Sequence, residues 1–232
     1  MEDSVSGEET GVGEKKRVEQ VDWSVKGERV LEVGAGTGLA GIIAAYAGAK
    51  EVVISDYPAT EVLANIQNNV TRNVDQRRKA TAQKIQTEEV TSQQPPLDIN
   101  AVSVEGHEWG VLDDSFSIAK KASFTRILVA DCLWMPHQHH NLLRSISHFL
   151  SEDPGARAWV IAGFHTGRAK MREFFGEELL GSEGVGLEIE TIFERNAEGN
   201  EREWAWERDG GREDITGRKR WLVVAVLKKS KL

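Results

Sequence analysis

Apolar positions fall into short runs separated by polar or glycine-rich stretches, and the runs alternate in period along the chain. From Arg29, "RVLEVGA" reads as a short buried strand running into glycines, and the alanine-rich "GLAGIIAAYAGA" after it reads as a helix. "KEVVISDY" is a second strand ending in an acid, and "ATEVLANIQNNVTRN" a second helix. Strand, glycine turn, helix, strand is a βαβ unit, which predicts a parallel sheet with helices on its faces. The alternation continues with "INAVSVE" and "FTRILVADCLW" as strands three and four, the helix "HQHHNLLRSISHFLS" and strand five in "ARAWVIAGFHT". "GRAKMREFFGEELL" predicts one further helix and "GLEIETIFER" a strand; after a highly charged connection from Asn196 to Arg220, "WLVVAVLKK" is the last strand. The last two strands have no helix between them, so they predict an antiparallel hairpin. The expected fold is α/β: a seven-stranded, mostly parallel sheet with helices on both faces and a C-terminal antiparallel β-hairpin.

Two segments break the rhythm. Residues 1 to about 20 are rich in Glu, Gly and Ser and carry almost no large apolar side chain besides valine, so they read as a disordered tail. Residues 72 to about 98 are polar, carry Arg72, Arg77, Arg78, Lys79 and Lys84, and end in Pro95-Pro96; they read as a solvated surface insertion, with an acidic partner as the alternative. Residues 21–232 then form one domain. At 232 residues with 40% hydrophobic and 28% charged content, one substantial core is expected. No apolar run is long enough to span a bilayer and no basic-then-apolar leader opens the chain, which leaves a soluble intracellular protein as the expectation. The single cysteine, Cys132, excludes an internal disulfide and fits a reducing compartment. A formal charge of -8 argues against binding nucleic acid through bulk electrostatics.

The chemistry concentrates in "EVGAGTGLAG", Glu32 to Gly41. From Gly36 it matches the dinucleotide fingerprint G-x-G-x-x-G; from Glu32 it is E-x-G-x-G-x-G, with Gly34, Gly36 and Gly38, as in S-adenosylmethionine sites. In either case glycines permit the sharp strand-to-helix turn and the close approach of backbone N–H groups to a ligand. A carboxylate at Glu32 would repel a pyrophosphate and suits the cationic ammonium and sulfonium of S-adenosylmethionine. The C-terminal strand pair favours the same choice, because a dinucleotide domain would add another βαβ repeat. Asp56, at the carboxyl end of strand two, is placed to accept hydrogen bonds from ribose hydroxyls under both readings.

In order and context, "VLEVGAGTGLAGIIAA", "VVISDYP", "VEGHEWG" and "ILVADCLW" resemble the family 16 class I methyltransferases, a group with many protein-lysine methyltransferases. The resemblance covers roughly residues 22 to 230. It is greatest to fungal members described as nicotinamide N-methyltransferase-like, related to enzymes that methylate elongation factor 1-alpha. It implies a Rossmann-like S-adenosylmethionine-dependent N-methyltransferase, a cytoplasmic or nuclear monomer with neither nucleic acid nor membrane as partner. The implied acceptor is a protein lysine or N-terminal amine, such as that of a translation factor. A small amine such as nicotinamide is the enzyme alternative, and a non-catalytic binding module the other. Carried over residue by residue, Gly34, Ala35 and Gly36 would offer backbone contacts to the methionyl part, Asp56 would hold the ribose, Trp109 would lie near the adenine, and Ala130 would give a backbone contact after strand four. A flat aromatic beside a purine gains on the order of 1 to 3 kcal/mol in single-strand binding sites; with seven tryptophans in the chain, a ligand-free core role for Trp109 is the alternative. Family members carry an aromatic helical segment upstream of strand one that closes the cofactor pocket; only "VDWSVKG" precedes Arg29 here, which implies a lost lid or a shortened version of a longer sequence.

Asp131-Cys132-Leu133-Trp134 occupies the position after strand four where the family commonly has an acid, two residues and an aromatic. Ligands of parallel sheets bind beyond the carboxyl ends of the strands, so these side chains should border the methyl-transfer site. Asp131 is expected to orient the acceptor amine or take its proton, unless it only caps the following segment. Trp134, where tyrosine or phenylalanine is common, is expected to wall the channel and hold a cationic amine by a cation–π contact. His165 ends strand five on the same rim, as an acceptor contact or a hydrogen-bonded rim histidine. The histidines of "HQHHNLL" (His137, His139, His140) cannot bring more than two rings to one helix face and have no cysteine or carboxylate cluster beside them, so no metal site is expected.

Overall fold

The computed structural model describes residues 21–76 and 102–231. The expected N-terminal tail and most of the expected insertion lie outside these residues. The chain runs β1 (Arg29–Val33), α1 (Leu39–Tyr46), β2 (Glu51–Asp56), α2 (Thr60–Val70), β3 (Val102–Gly106), α3 (Ser115–Lys120), β4 (Arg126–Ala130), α4 (His139–Phe149), β5 (Arg157–Gly163), α5 (Arg168–Arg172), α6 (Glu177–Leu180), β6 (Leu187–Asn196), β7 (Glu201–Glu203), α7 (Ile215–Arg218) and β8 (Trp221–Lys229).

Among the described residues, one sheet of eight strands has the order β3-β2-β1-β4-β5-β8-β6-β7. The first five run parallel, with Val30 opposite Val52 on one side and Arg126 on the other. β8 enters antiparallel between β5 and β6. Strands buried on both faces need no polar alternation, which is why β1, β2 and β4 read as continuous apolar runs.

Each face of the sheet has its own core. Val30, Ile54, Trp159 and Val226 meet Ile42 of α1 and Ile66 of α2 on one side. On the other, Ile127, Val160 and Ala225 meet Leu142, Ile146 and Phe149 of α4 and Phe174 and Phe175 after α5. Helix α1 lies close on the sheet because Gly41 faces it: a Cβ there would sit 2.6 Å from Ile54 Cγ1 and 2.8 Å from Glu32 Oε2.

The structure departs from the expected elements in five places. Strand four ends at Ala130, because Asp131 turns into the left-handed region with φ 59°. The expected insertion does not begin at residue 72, since helical turns continue from α2 through Thr71–Asp75 and bury Val74. The single helix expected over "GRAKMREFFGEELL" is broken at Gly176, whose ψ of 137° is extended, so that Phe174 and Phe175 both reach the core. Helix α3, unforeseen, is capped by Asp114, whose side chain accepts the Ser117 N–H. The charged connection is also ordered: β7 adds an eighth strand, antiparallel to β6, and α7 precedes β8. Its anchor is ionic, with Glu194 fully buried and its carboxylate accepting from Arg168 at 2.6 Å, Arg202 at 2.8 Å and Arg208 at 3.2 Å. Glu213 adds a second carboxylate to Arg168 at 2.8 Å.

Candidate active site

A cavity of about 730 Å³ opens beyond the carboxyl ends of β1, β2, β3 and β4. Its wall comes from the glycine loop (Gly34, Gly36), the end of β2 and the start of α2 (Asp56, Tyr57, Glu61, Val62, Asn65), the loop after β3 (His107, Glu108, Trp109) and the segment after β4 (Cys132, Trp134, Met135, Gln138). Among the described residues its charged groups are Asp56, Glu61 and Glu108, with no lysine or arginine in the wall.

The glycine loop turns through positive φ at Gly34, Gly36 and Gly38. At Gly34 the absence of a side chain is also a matter of space: a Cβ would lie 2.7 Å from both Cys132 Sγ and Trp109 Cζ2. The Trp109 ring is thereby set against the loop backbone at the cavity wall. Cys132 is buried, its thiol donates toward the Val33 carbonyl at 3.3 Å, and burial pushes its pKa up to about 12, so it is an inert packing group.

Asp56 holds the loop as well as lining the cavity. Its carboxylate accepts the Gly36 N–H and the Tyr57 N–H, both at 2.6 Å. A carboxylate has capacity for about four acceptor bonds, so these two leave room for hydroxyl donors.

Glu32, expected at the ligand, is not part of the cavity wall. It is 2% exposed and faces the first turn of α1, accepting the Gly41 N–H at 2.7 Å and the Ala40 N–H at 3.3 Å. Burial raises its pKa to about 7 despite those bonds, with Asp56 adding to the rise. Glu32 is therefore only partly ionised at neutral pH, and the cavity's acidity comes from Asp56, Glu61 and Glu108 instead.

Ala35 and Gly38 also face inward. The Ala35 N–H donates to the Ser55 carbonyl at 3.1 Å, and Gly38 sits over Ile54 and Ile66. Ala130 is exposed at the end of β4 opposite Ile161, outside the wall.

Asp131 and His165 meet on the rim rather than in the cavity. Asp131 Oδ2 is 3.5 Å from His165 Nε2, and Asp131 Oδ1 accepts the Gly163 N–H at 3.1 Å. Both side chains are more than half exposed, as is Trp134, three residues further on, which also lines the cavity. The rim therefore presents a carboxylate, an imidazole and an indole beside an acidic cavity. Among the His137, His139 and His140 group, His139 is buried against the Leu133 carbonyl at 3.1 Å.

The sequence pattern placed Cys132 and Trp134 at the site but did not single out Glu61, Val62 and Asn65 of α2 or Met135 and Gln138 after Trp134. Glu61 and Asn65 stand four apart, one turn of the helix that follows the β2 acid, and that spacing is the signal that could have found them. Met135 and Gln138 bracket a single 3-10 turn, Pro136–Gln138, too short to show a periodicity.

An α/β sheet with a glycine loop, an acid after β2 and a cavity at the switch between β1 and β4 defines a Rossmann-like class. Residues 13–179 match the lysine methyltransferase family model, and the chain belongs to that family. Among its relatives is the protein N-terminal and lysine N-methyltransferase EFM7 of Yarrowia lipolytica, 31% identical over 175 residues that make up 73% of this chain and 59% of the relative. The protein of the same name in Schizosaccharomyces pombe is 27% identical over 74% of this chain and 59% of its own. The chain thus spans about 59% of the length of both relatives. A SAM dependent methyltransferase of Aquifex aeolicus shares the fold, with a TM-score of 0.52 at 11% identity over 88% of this chain and 83% of that one.

Proposed function

We propose that this chain is an S-adenosylmethionine-dependent N-methyltransferase that modifies an amine of a protein, a lysine side chain or an N-terminus. The observation that carries the proposal is the acidic cavity of about 730 Å³ that joins Gly34, Gly36, Asp56 and Trp109 and opens at Trp134. Family membership and the names of the two relatives support the same acceptor class.

The donor set fits S-adenosylmethionine and opposes a dinucleotide. Three carboxylates with no cation facing them among the described residues would repel a pyrophosphate, whereas a zwitterionic, hydroxyl-bearing sulfonium has ammonium and hydroxyl donors to offer them. Asp56 would hold hydroxyls, Trp109 would cover one face of the base, and the loop at Gly34 and Gly36 would receive the polar end. When bound, the cofactor supplies an electrophilic methyl group on sulfur. Transfer requires a neutral amine, and the acceleration can come from positioning and exclusion of water. At the mouth, Trp134 would hold the incoming ammonium against its ring. Asp131 Oδ2 and His165 Nε2, paired on the rim, would take the proton that the amine must lose.

The resemblance points to a translation factor met in the cytoplasm, with the enzyme acting as a monomer. Among the described residues no helix is long and apolar enough to cross a membrane. Incubation with labelled methyl donor and cell lysate, followed by separation of proteins from small molecules, tests the proposal. Label in a discrete protein band supports it; label confined to small molecules contradicts the acceptor class, and no transfer contradicts the activity.

A further inference from the structure

The stretch that carries Trp109 into the cavity is pinned by a buried polar network that the methyl-transfer chemistry leaves unused. His107, 2% exposed, follows β3 and donates its backbone N–H to the Asp56 carbonyl at 2.7 Å. Its Nε2 lies 2.8 Å from Ser145 Oγ of α4, and its Nδ1 3.4 Å from Ser117 Oγ of α3. Ser145 Oγ also accepts the Gly110 N–H at 2.9 Å. Ser117 Oγ stands 2.6 Å from Asp114 Oδ2 and 3.1 Å from the Val111 carbonyl.

Counting protons leaves one arrangement. Ser117 has a single hydroxyl hydrogen, and the Asp114 carboxylate is its nearer acceptor, so Ser117 offers His107 Nδ1 a lone pair and Nδ1 carries the ring hydrogen. Nε2 is then an acceptor for the Ser145 hydroxyl, whose oxygen simultaneously takes the Gly110 N–H. Burial holds the His107 pKa down to about 4, which keeps the imidazole neutral near pH 7. The ring is further wedged edge-on against Phe149, with centroids 4.9 Å apart. Trp109 sits between two anchored residues, His107 and Gly110, which fix the backbone from which its ring reaches Gly34.

We propose that His107, through Ser145 and Ser117, is a positioning residue that sets the Trp109 ring at the donor cavity. The inference rests on the reading of that cavity as the S-adenosylmethionine site, and it acts through Trp109.

The test combines S-adenosylhomocysteine titration calorimetry with amide hydrogen exchange on the full chain. His107→Phe and Ser145→Ala should each weaken S-adenosylhomocysteine by roughly tenfold, the scale of losing a well-placed stacking ring. His107→Gln, whose side-chain carbonyl can accept the Ser145 hydrogen, should recover most of that loss and serves if the phenylalanine variant fails to fold. A double-mutant cycle with Trp109→Ala should be strongly non-additive, because removing the ring removes what His107 positions. Additive losses, or unchanged affinity in both single variants, would overturn the proposal. The Gly110 amide should exchange faster in the ligand-free Ser145→Ala and His107→Phe proteins, and unchanged exchange overturns it independently. Wild-type protein that binds no S-adenosylhomocysteine contradicts the cavity reading, with Gly110 exchange still deciding the role of His107.

Discussion

At Glu32 the side chain that the glycine pattern singles out holds the start of α1 and does not line the cavity. Glu32 is an acid buried under the glycine loop, tied to the α1 amides, with a pKa raised to about 7. A folded-state pKa above the ordinary 4.5 means that folding favours the protonated form. Its contribution to stability is full below the ordinary value and is lost as pH rises through about 7, a change on the order of 3 kcal/mol. Urea unfolding at pH 5 and pH 8 should therefore show a smaller loss of stability with rising pH in Glu32→Gln than in the wild type; equal slopes would mean that Glu32 ionises freely in the folded protein.

Asp131 adopts φ 59°, a conformation in which most side chains cost about 1 kcal/mol or more relative to glycine. Asp131→Gly should be more stable than Asp131→Ala by about that amount in chemical denaturation. Both should lower methyl transfer far more than S-adenosylhomocysteine affinity, since Asp131 stands outside the cavity wall. Equal losses in both measurements would place Asp131 at the cofactor instead.

Among elements, β1 to β5 were legible because each is a short run ended by glycine or an acid, and their parallel order followed from the helices between them. The glycine loop and Asp56 were legible for the same reason, as ends of those runs. The connection from Asn196 to Arg220 was not, because its order comes from charges brought together in space. Arg168 of α5 reaches Glu194 of β6, Arg202 faces it from the paired strand β7, and Arg208 arrives from beyond that hairpin. Nothing in the spacing of those residues announces the contact. Removing the buried carboxylate leaves three guanidinium groups with one fewer partner, and breaking such a buried pair typically costs about 3 to 5 kcal/mol. Glu194→Ala should lose stability on that scale and open the connection to limited proteolysis near Trp206; cleavage at the wild-type rate would show that the cluster does not hold it. Gly41 is a second element-scale control. Gly41→Ala should push α1 off Ile54 and cost about 1 to 3 kcal/mol in thermal or urea unfolding.

For the whole molecule, the sheet order, the acidic cavity and the family match converge on one ligand class by different routes. The acid that first favoured a cationic cofactor, Glu32, faces away from the cavity, and Asp56, Glu61 and Glu108 supply the charge in its place. The sequence preference for S-adenosylmethionine over a dinucleotide thus stands on other carboxylates than the one that suggested it, and Glu61 was invisible without the fold that brings α2 to the cavity wall. Calorimetric titration of the purified chain with S-adenosylhomocysteine and, separately, with NAD tests this most directly. Saturable binding of S-adenosylhomocysteine, reduced in Trp109→Ala, with no response to NAD is the predicted result; binding of NAD without S-adenosylhomocysteine would contradict it.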